Sequence, residues 1–105
     1  MKHSYVYFIT DSHGHIKIGK ADDVFKRLKE LQTGNPYRLS TLLTVMVQSP
    51  TEAFNLEQEL HNRFNGYRLE GEWFKEAPVL ELIDTDIVKL NRFEFGGLRY
   101  GRRLN

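Results

Sequence analysis

The sequence contains no cysteine, which excludes disulfide scaffolds, zinc sites built from thiolates and cysteine nucleophiles. It has no apolar run of membrane-spanning length, and its first residues, MKHSYVYFITDSHG, lack the apolar core and cleavage site of a secretory signal. We therefore expect a soluble, cytoplasmic protein without a membrane partner. The formal net charge is only +1, so the total charge indicates no class of partner.

The composition is that of a folded globular domain. Apolar residues make up 40% of the 105 residues, which is compatible with one compact domain around one core. Residues 1–50 have seven Lys/Arg and four Asp/Glu, residues 51–91 have four and nine, and residues 92–105 have four and one. A basic first half and a basic tail can hold a polyanion, although segment charges of this size also occur in proteins that bind none.

The N-terminal third predicts a β-hairpin followed by a helix. Two β-branched and aromatic segments flank the turn residues 11–14. Asp22 or Asp23 caps the helix that follows, and Gly34 ends it. Ser49 begins a second helix with a capping box, and this helix runs to about Phe64.

The whole pattern predicts an α+β fold of order β-β-α-β-α-α. Helices pack on a small three-stranded, mostly antiparallel sheet. The segment YRLEGEWFK is predicted to be an irregular or short extended connection. The predicted strands cover 4–10, 15–19 and 38–48, and a third helix is expected from residue 77, interrupted or ended near Thr85.

On the first helix, Val24, Leu28 and Leu31 form a narrow apolar stripe, which Phe25 widens. Arg27 lies on the border of this stripe. Its guanidinium either extends into water or points across the sheet at an anion.

On the second helix, Glu57 lies inside the apolar stripe that faces the core. A carboxylate in that position is costly to desolvate unless a cation meets it. One interpretation is a structural Glu57–Arg27 pair or a partly exposed edge. The other is a ligand for a divalent cation such as Mg²⁺. His61 follows one turn later and serves either in packing or in handling a proton or a phosphate.

In the hairpin, Tyr7 and Lys17 come from neighbouring strands and can lie close together. Tyrosines in strands usually pack in the core or against the next strand. A nearby ammonium, however, lowers the pKa of a phenol by favouring the phenolate. Tyr7 would then serve as a general base.

Several motifs occur together in one order. They are YVYFI, IKIG, KADDVFKRL, LQTGNP, the spaced pattern A..LE..LH..F, and GEWF. In order and spacing they resemble the GIY-YIG nuclease superfamily, and most closely a small branch of it that is common in phages. The resemblance covers about residues 5–74, and the tail at 92–105 lies outside it.

The resemblance implies roles for particular residues. Lys17 stands where the second tyrosine of the family usually lies, so it would orient or acidify the first one. The matching positions are Tyr7 at the attacking water, Gly19 as the final glycine of the second motif, Arg27 at the scissile phosphate, Glu57 as the metal ligand, and His61 and GEWF (residues 71–74) as features of the small branch.

The function implied is that of a metal-dependent endonuclease, with DNA as the expected substrate and Mg²⁺ or Mn²⁺ as the cofactor, in a bacterial or phage-infected cell. We expect a nuclease domain at 1–91, with a basic aromatic tail at 92–105 as part of the same unit. The alternative is a weak or inactive module that binds nucleic acid or a host protein; a homodimer or a protein partner would also fit. Further predicted nucleic-acid contacts are Lys20, Arg99, Arg102 and Arg103.

Overall fold

The computed structural model describes residues 3–85 and 100–102 of the chain. The strands are β1 (Ser4–Thr10), β2 (His15–Ala21), β3 (Ser40–Val47), β4 (Arg68–Glu70), β5 (Trp73–Lys75) and β6 (Tyr100–Arg102). The helices are α1 (Val24–Gln32), α2 (Pro50–Arg63) and α3 (Glu76–Thr85), and a 3₁₀ turn covers Asn65–Tyr67.

The strands of the described residues form one antiparallel sheet with the order β4-β5-β2-β1-β3-β6. The predicted α+β class and the central strands β2-β1-β3 are confirmed, but the prediction of only three strands was wrong. The segment predicted as an irregular or short extended connection forms the hairpin β4–β5, which pairs with the outer edge of β2. Each of its strands has three residues, too few to show the alternation that predicts a strand.

Helices cover both faces of the sheet. Val6 and Phe8 of β1 point to the face that α2 and α3 cover, and there they join the main core. Tyr7 and Ile9 point to the opposite face, where α1 packs. Because the sheet separates α1 from α2, side chains from the two helices can meet only around an edge of the sheet.

Local signals account for the starts and ends of α1 and α2. The Asp23 carboxylate accepts a hydrogen bond from the Lys26 backbone N–H at 3.0 Å, so Asp23 is the N-cap. Gly34 follows α1 with φ +79°, as expected of a residue that ends a helix. The Ser49 hydroxyl accepts from the Glu52 N–H at 3.2 Å. Phe25 was predicted to widen the apolar stripe of α1, but it is 70% exposed and does not.

Several predictions concern the C-terminal part of the chain. Arg99, Arg103 and the domain boundary at residue 91 lie outside the described residues. Arg102 lies on β6, which pairs with β3. In the segments that the structure covers, no helix combines the length and the apolar character needed to cross a membrane.

Candidate metal and phosphate site

The candidate site lies at the outer edge of β2, where the pairing with β5 ends. β5 pairs with β2 only from His15 to Lys17. Beyond that point, the Ile18 backbone N–H donates to the carbonyl oxygen of Glu72 at 3.0 Å. The Ile18 carbonyl oxygen lies 2.8 Å from Nε2 of His61. One residue of β2 therefore holds Glu72 from the hairpin and His61 from α2 at the same place.

Gly19 of β2 has no side chain and so leaves room on the sheet surface beside this edge. It pairs directly with Tyr7 on β1, and the Tyr7 ring lies across it. A Cβ atom added at Gly19 would lie 2.5 Å from Cζ of Tyr7 and still closer to its hydroxyl oxygen, distances that real atoms do not adopt. The absence of a side chain at Gly19 is what lets the Tyr7 hydroxyl reach across β2.

The Tyr7 side chain is almost completely buried. Burial raises the pKa of Tyr7 above its usual value of 10.0, and the interaction with the Arg27 guanidinium only partly offsets this effect. The negative charges of Glu72 and Glu57 raise the pKa further. Lys17, which was predicted to orient or acidify Tyr7, is not among the groups that shift this pKa.

Lys17 is instead paired with an acid. Its Nζ atom lies 3.2 Å from Oε1 of Glu72 and 5.8 Å from the centre of the Trp73 ring. Only 9% of the lysine is exposed. The ammonium is thus engaged by a carboxylate of the hairpin.

Arg27 comes from α1, on the same face of the sheet as Tyr7. Its guanidinium interacts with the Tyr7 phenol, and this interaction, followed by the hydrogen bond to Glu30, raises the pKa of Arg27. Nη1 lies 3.2 Å from Oε1 of Glu30, and the side chain is 44% exposed. The border arginine therefore combines solvent access with a contact to the buried phenol, and its carboxylate partner is Glu30.

Glu57 and His61 come from α2, on the other face. Glu57 is only 4% exposed. The hydrogen bond found for its carboxylate is a long one of 3.3 Å from the side-chain amide of Gln58, and among the described residues no ion pair neutralises it. A buried carboxylate without a cation is costly, so this group is suited to bind one.

A second acid completes the cluster. Glu57, His61 and Glu72 each offer one ligand atom, and these atoms all lie within 4.8 Å of one another. Glu72 was missed as a site residue in the sequence, although it lies in the GEWF segment. Its signal was weak, since an acid after a glycine in a loop is common.

The comparison with known families adds to this geometry. Residues 3–90 match the T5orf172 domain. The chain belongs to the T5orf172 domain family. This phage-associated domain is often linked to GIY-YIG-like endonucleases, and the family is compatible with a nuclease-like or nucleic-acid-binding role. No curated protein and no solved structure matches the chain.

In this T5orf172 domain, the structure brings the five predicted site residues into three separate sets of contacts. Tyr7 and Arg27 contact each other, and Lys17 pairs with Glu72. Glu57 and His61 share the cluster with that same acid. The predicted cation Lys20 is exposed on β2, where the strand pairs with Val6 of β1 but no longer with β5.

Proposed function

We propose that this T5orf172 domain is a metal-dependent endonuclease of the GIY-YIG type that hydrolyses phosphodiester bonds in DNA, in the cytoplasm of a bacterial or phage-infected cell. The observation that carries the proposal is the buried Glu57 carboxylate, which lacks a cationic partner in the described residues and lies beside His61 and Glu72. A carboxylate in this setting is a natural ligand for a divalent cation.

The donor set fits Mg²⁺ or Mn²⁺. Glu57 would hold the ion, with water and phosphate oxygens completing its shell. When bound, the ion supplies Lewis-acid polarisation of the phosphate oxygens and neutralises charge in the transition state. No cysteine is present to favour a thiolate metal instead.

The protein's own cations act on the same phosphate. Arg27 has a planar, permanently charged guanidinium that suits phosphate oxygens, and its partly exposed position leaves it accessible to substrate. Lys17 and Lys20 add positive charge on β2. These groups would stabilise the charge that develops on the phosphate.

Tyr7 would position the attacking water and accept its proton. In the reaction, the water oxygen would form a bond to phosphorus as its proton passes to the phenolate. The phosphorus–oxygen bond to the leaving group would break with its electron pair going to the leaving oxygen, which takes a proton from solvent. Since burial raises the pKa of Tyr7, only the small phenolate fraction acts as a base at neutral pH. That fraction grows as the pH rises.

A plasmid-nicking assay tests the proposal. The wild-type protein should nick supercoiled DNA with Mg²⁺ or Mn²⁺ and stop with EDTA. Glu57→Gln should lower the rate by about 100-fold or more, since it removes the charge that holds the ion. Glu59→Gln, an exposed acid on the same helix, is the matched control and should stay within about twofold. Equal rates for Glu57→Gln and the wild type would refute the assignment.

One observation favours a second candidate function. Lys17 replaces the usual second tyrosine and is held by Glu72, while the phenol of Tyr7 has a raised pKa. A module with these features would bind nucleic acid or a host protein without turnover, alone or as a homodimer. It would retard DNA equally with and without metal and release it as salt rises.

A further inference from the structure

We propose that Glu72 is a third protein ligand of the cation site, so that Glu57, His61 and Glu72 together form a site that prefers Mn²⁺ to Mg²⁺. In the absence of metal, Lys17 takes the place of the cation at Glu72. This proposal depends on the proposed function in one respect only, which is the role of Glu57 as a metal ligand. The assignments of His61, Glu72 and Lys17 come from the structure of the β2 edge.

The hydrogen bond of His61 selects the ring atom that can bind metal. Nε2 lies 2.8 Å from the Ile18 carbonyl oxygen, and a carbonyl oxygen can only accept, so Nε2 carries the proton. In the neutral imidazole, Nδ1 then keeps its lone pair. Metal-binding histidines are commonly oriented in this way, by donating the other ring N–H to a backbone carbonyl.

Backbone contacts fix Glu72 independently of any ion. Its carbonyl oxygen accepts from the Ile18 N–H at 3.0 Å, in the same residue whose carbonyl orients His61. The two ligands are therefore anchored to one peptide segment of β2. Such a cluster is pre-organised, which reduces the conformational entropy lost on binding an ion.

The two carboxylates of the cluster carry negative charge that the cations of the described residues neutralise only in part. Glu57 is buried and has no ion pair in the described segments. Glu72 has one cation, the Lys17 ammonium at 3.2 Å. Of these two carboxylates, whose ligand atoms lie within 4.8 Å of each other and of the imidazole, one therefore has a lysine partner and the other has none among the described residues. A divalent ion would neutralise both acids.

The donor types determine which ion is preferred. Mg²⁺ favours oxygen ligands and keeps several waters, whereas imidazole nitrogen suits transition metals. Two carboxylates and one imidazole therefore favour Mn²⁺, with higher intrinsic affinity for later first-row ions. The positive charge of Lys17 beside Glu72 opposes metal binding, because a like charge nearby disfavours a second cation.

Mn²⁺ binding without nucleic acid tests the proposal. Free Mn²⁺ is measured by electron paramagnetic resonance during titration of the folded full chain, with circular dichroism to verify the fold of each variant. Glu72→Gln should weaken binding by about tenfold or more. Glu70→Gln, an exposed acid in the same hairpin, should leave it unchanged. Lys17→Gln should strengthen binding by about threefold or more.

Metal preference gives a second readout. Competition with Mg²⁺ should show Mn²⁺ preference in the wild type, and His61→Gln should reduce it by about tenfold. If Glu72→Gln binds Mn²⁺ as tightly as the wild type, or if the wild type binds none, the proposal is wrong. Loss of Mn²⁺ binding in Glu72→Gln, together with no DNA cleavage by the wild type, would support this site and refute the nuclease function.

Discussion

At the scale of single residues, the position of the Tyr7 hydroxyl depends on the absence of a side chain at Gly19. An added methyl group would lie 2.5 Å from Cζ of Tyr7, so the ring must move. We expect Gly19→Ala to destabilise the fold by about 1–3 kcal/mol and to reduce DNA cleavage below the level that the remaining folded fraction explains.

Urea unfolding and plasmid nicking measure the two effects separately. Gly66→Ala is the matched control, because nothing lies within 4 Å of a Cβ added there. If Gly19→Ala keeps full activity, Tyr7 does not need its present position.

Asp11 gives a prediction for pH. Burial raises its pKa, but hydrogen bonds from the His15 side chain and from the His13 and His15 backbone N–H groups outweigh this effect, so the pKa of Asp11 is lowered. A lowered pKa in the folded state stabilises the protein above the ordinary value of 3.8. That stabilisation is lost as the pH falls through the folded-state pKa.

Asp11→Asn should therefore lower the free energy of unfolding at pH 7 by about 1–2 kcal/mol. The difference from the wild type should shrink in urea titrations as the pH is lowered below 3.8, because the wild-type carboxylate is then progressively protonated. A difference that does not change with pH would show that the ionised carboxylate contributes nothing.

At the scale of elements, the clear signals in the sequence were the helix-capping residues and the residue patterns of the long strands. Asp23, Gly34 and Ser49 marked helix ends because their local chemistry satisfies backbone groups there. The second strand showed alternation, and the first and third were marked by β-branched, aromatic and aliphatic residues. The hairpin β4–β5 was missed, because strands of three residues show no pattern of their own and become recognisable only from their backbone pairing.

This hairpin carries Glu72, so its turn should affect metal binding. Gly71 has φ +58° in the turn, a conformation that costs an alanine about 1 kcal/mol. Gly71→Ala should lower stability by about that amount and also weaken Mn²⁺ binding. Urea unfolding and Mn²⁺ titration measure the two effects.

Gly34→Ala provides the matched control. Gly34 has φ +79° and, like Gly71, has open space around an added Cβ, but it follows α1, away from the cluster. It should cost similar stability and leave the Mn²⁺ affinity unchanged. Equal Mn²⁺ affinities for the two variants would show that the conformation of the hairpin turn does not affect metal binding.

At the scale of the whole molecule, the site that we propose draws its residues from both faces of the sheet. Tyr7 and Arg27 come from the α1 face, and Glu57 and His61 come from the α2 face. Helical periodicity predicted that Arg27 and Glu57 face the sheet, but not that their helices pack on opposite faces of it. The pKa of Tyr7 could not be predicted, because its burial and the pairing of Lys17 with Glu72 depend on tertiary contacts.

The central claim is that groups from both faces act on one phosphodiester. It is tested most directly by the metal-dependent plasmid cleavage rate of Arg27→Ala compared with Lys26→Ala. Both variants lose one positive charge from α1, but only Arg27 contacts Tyr7. We predict that Arg27→Ala is slower by about 100-fold, whereas Lys26→Ala stays within about threefold. Equal rates for the two variants would contradict the account.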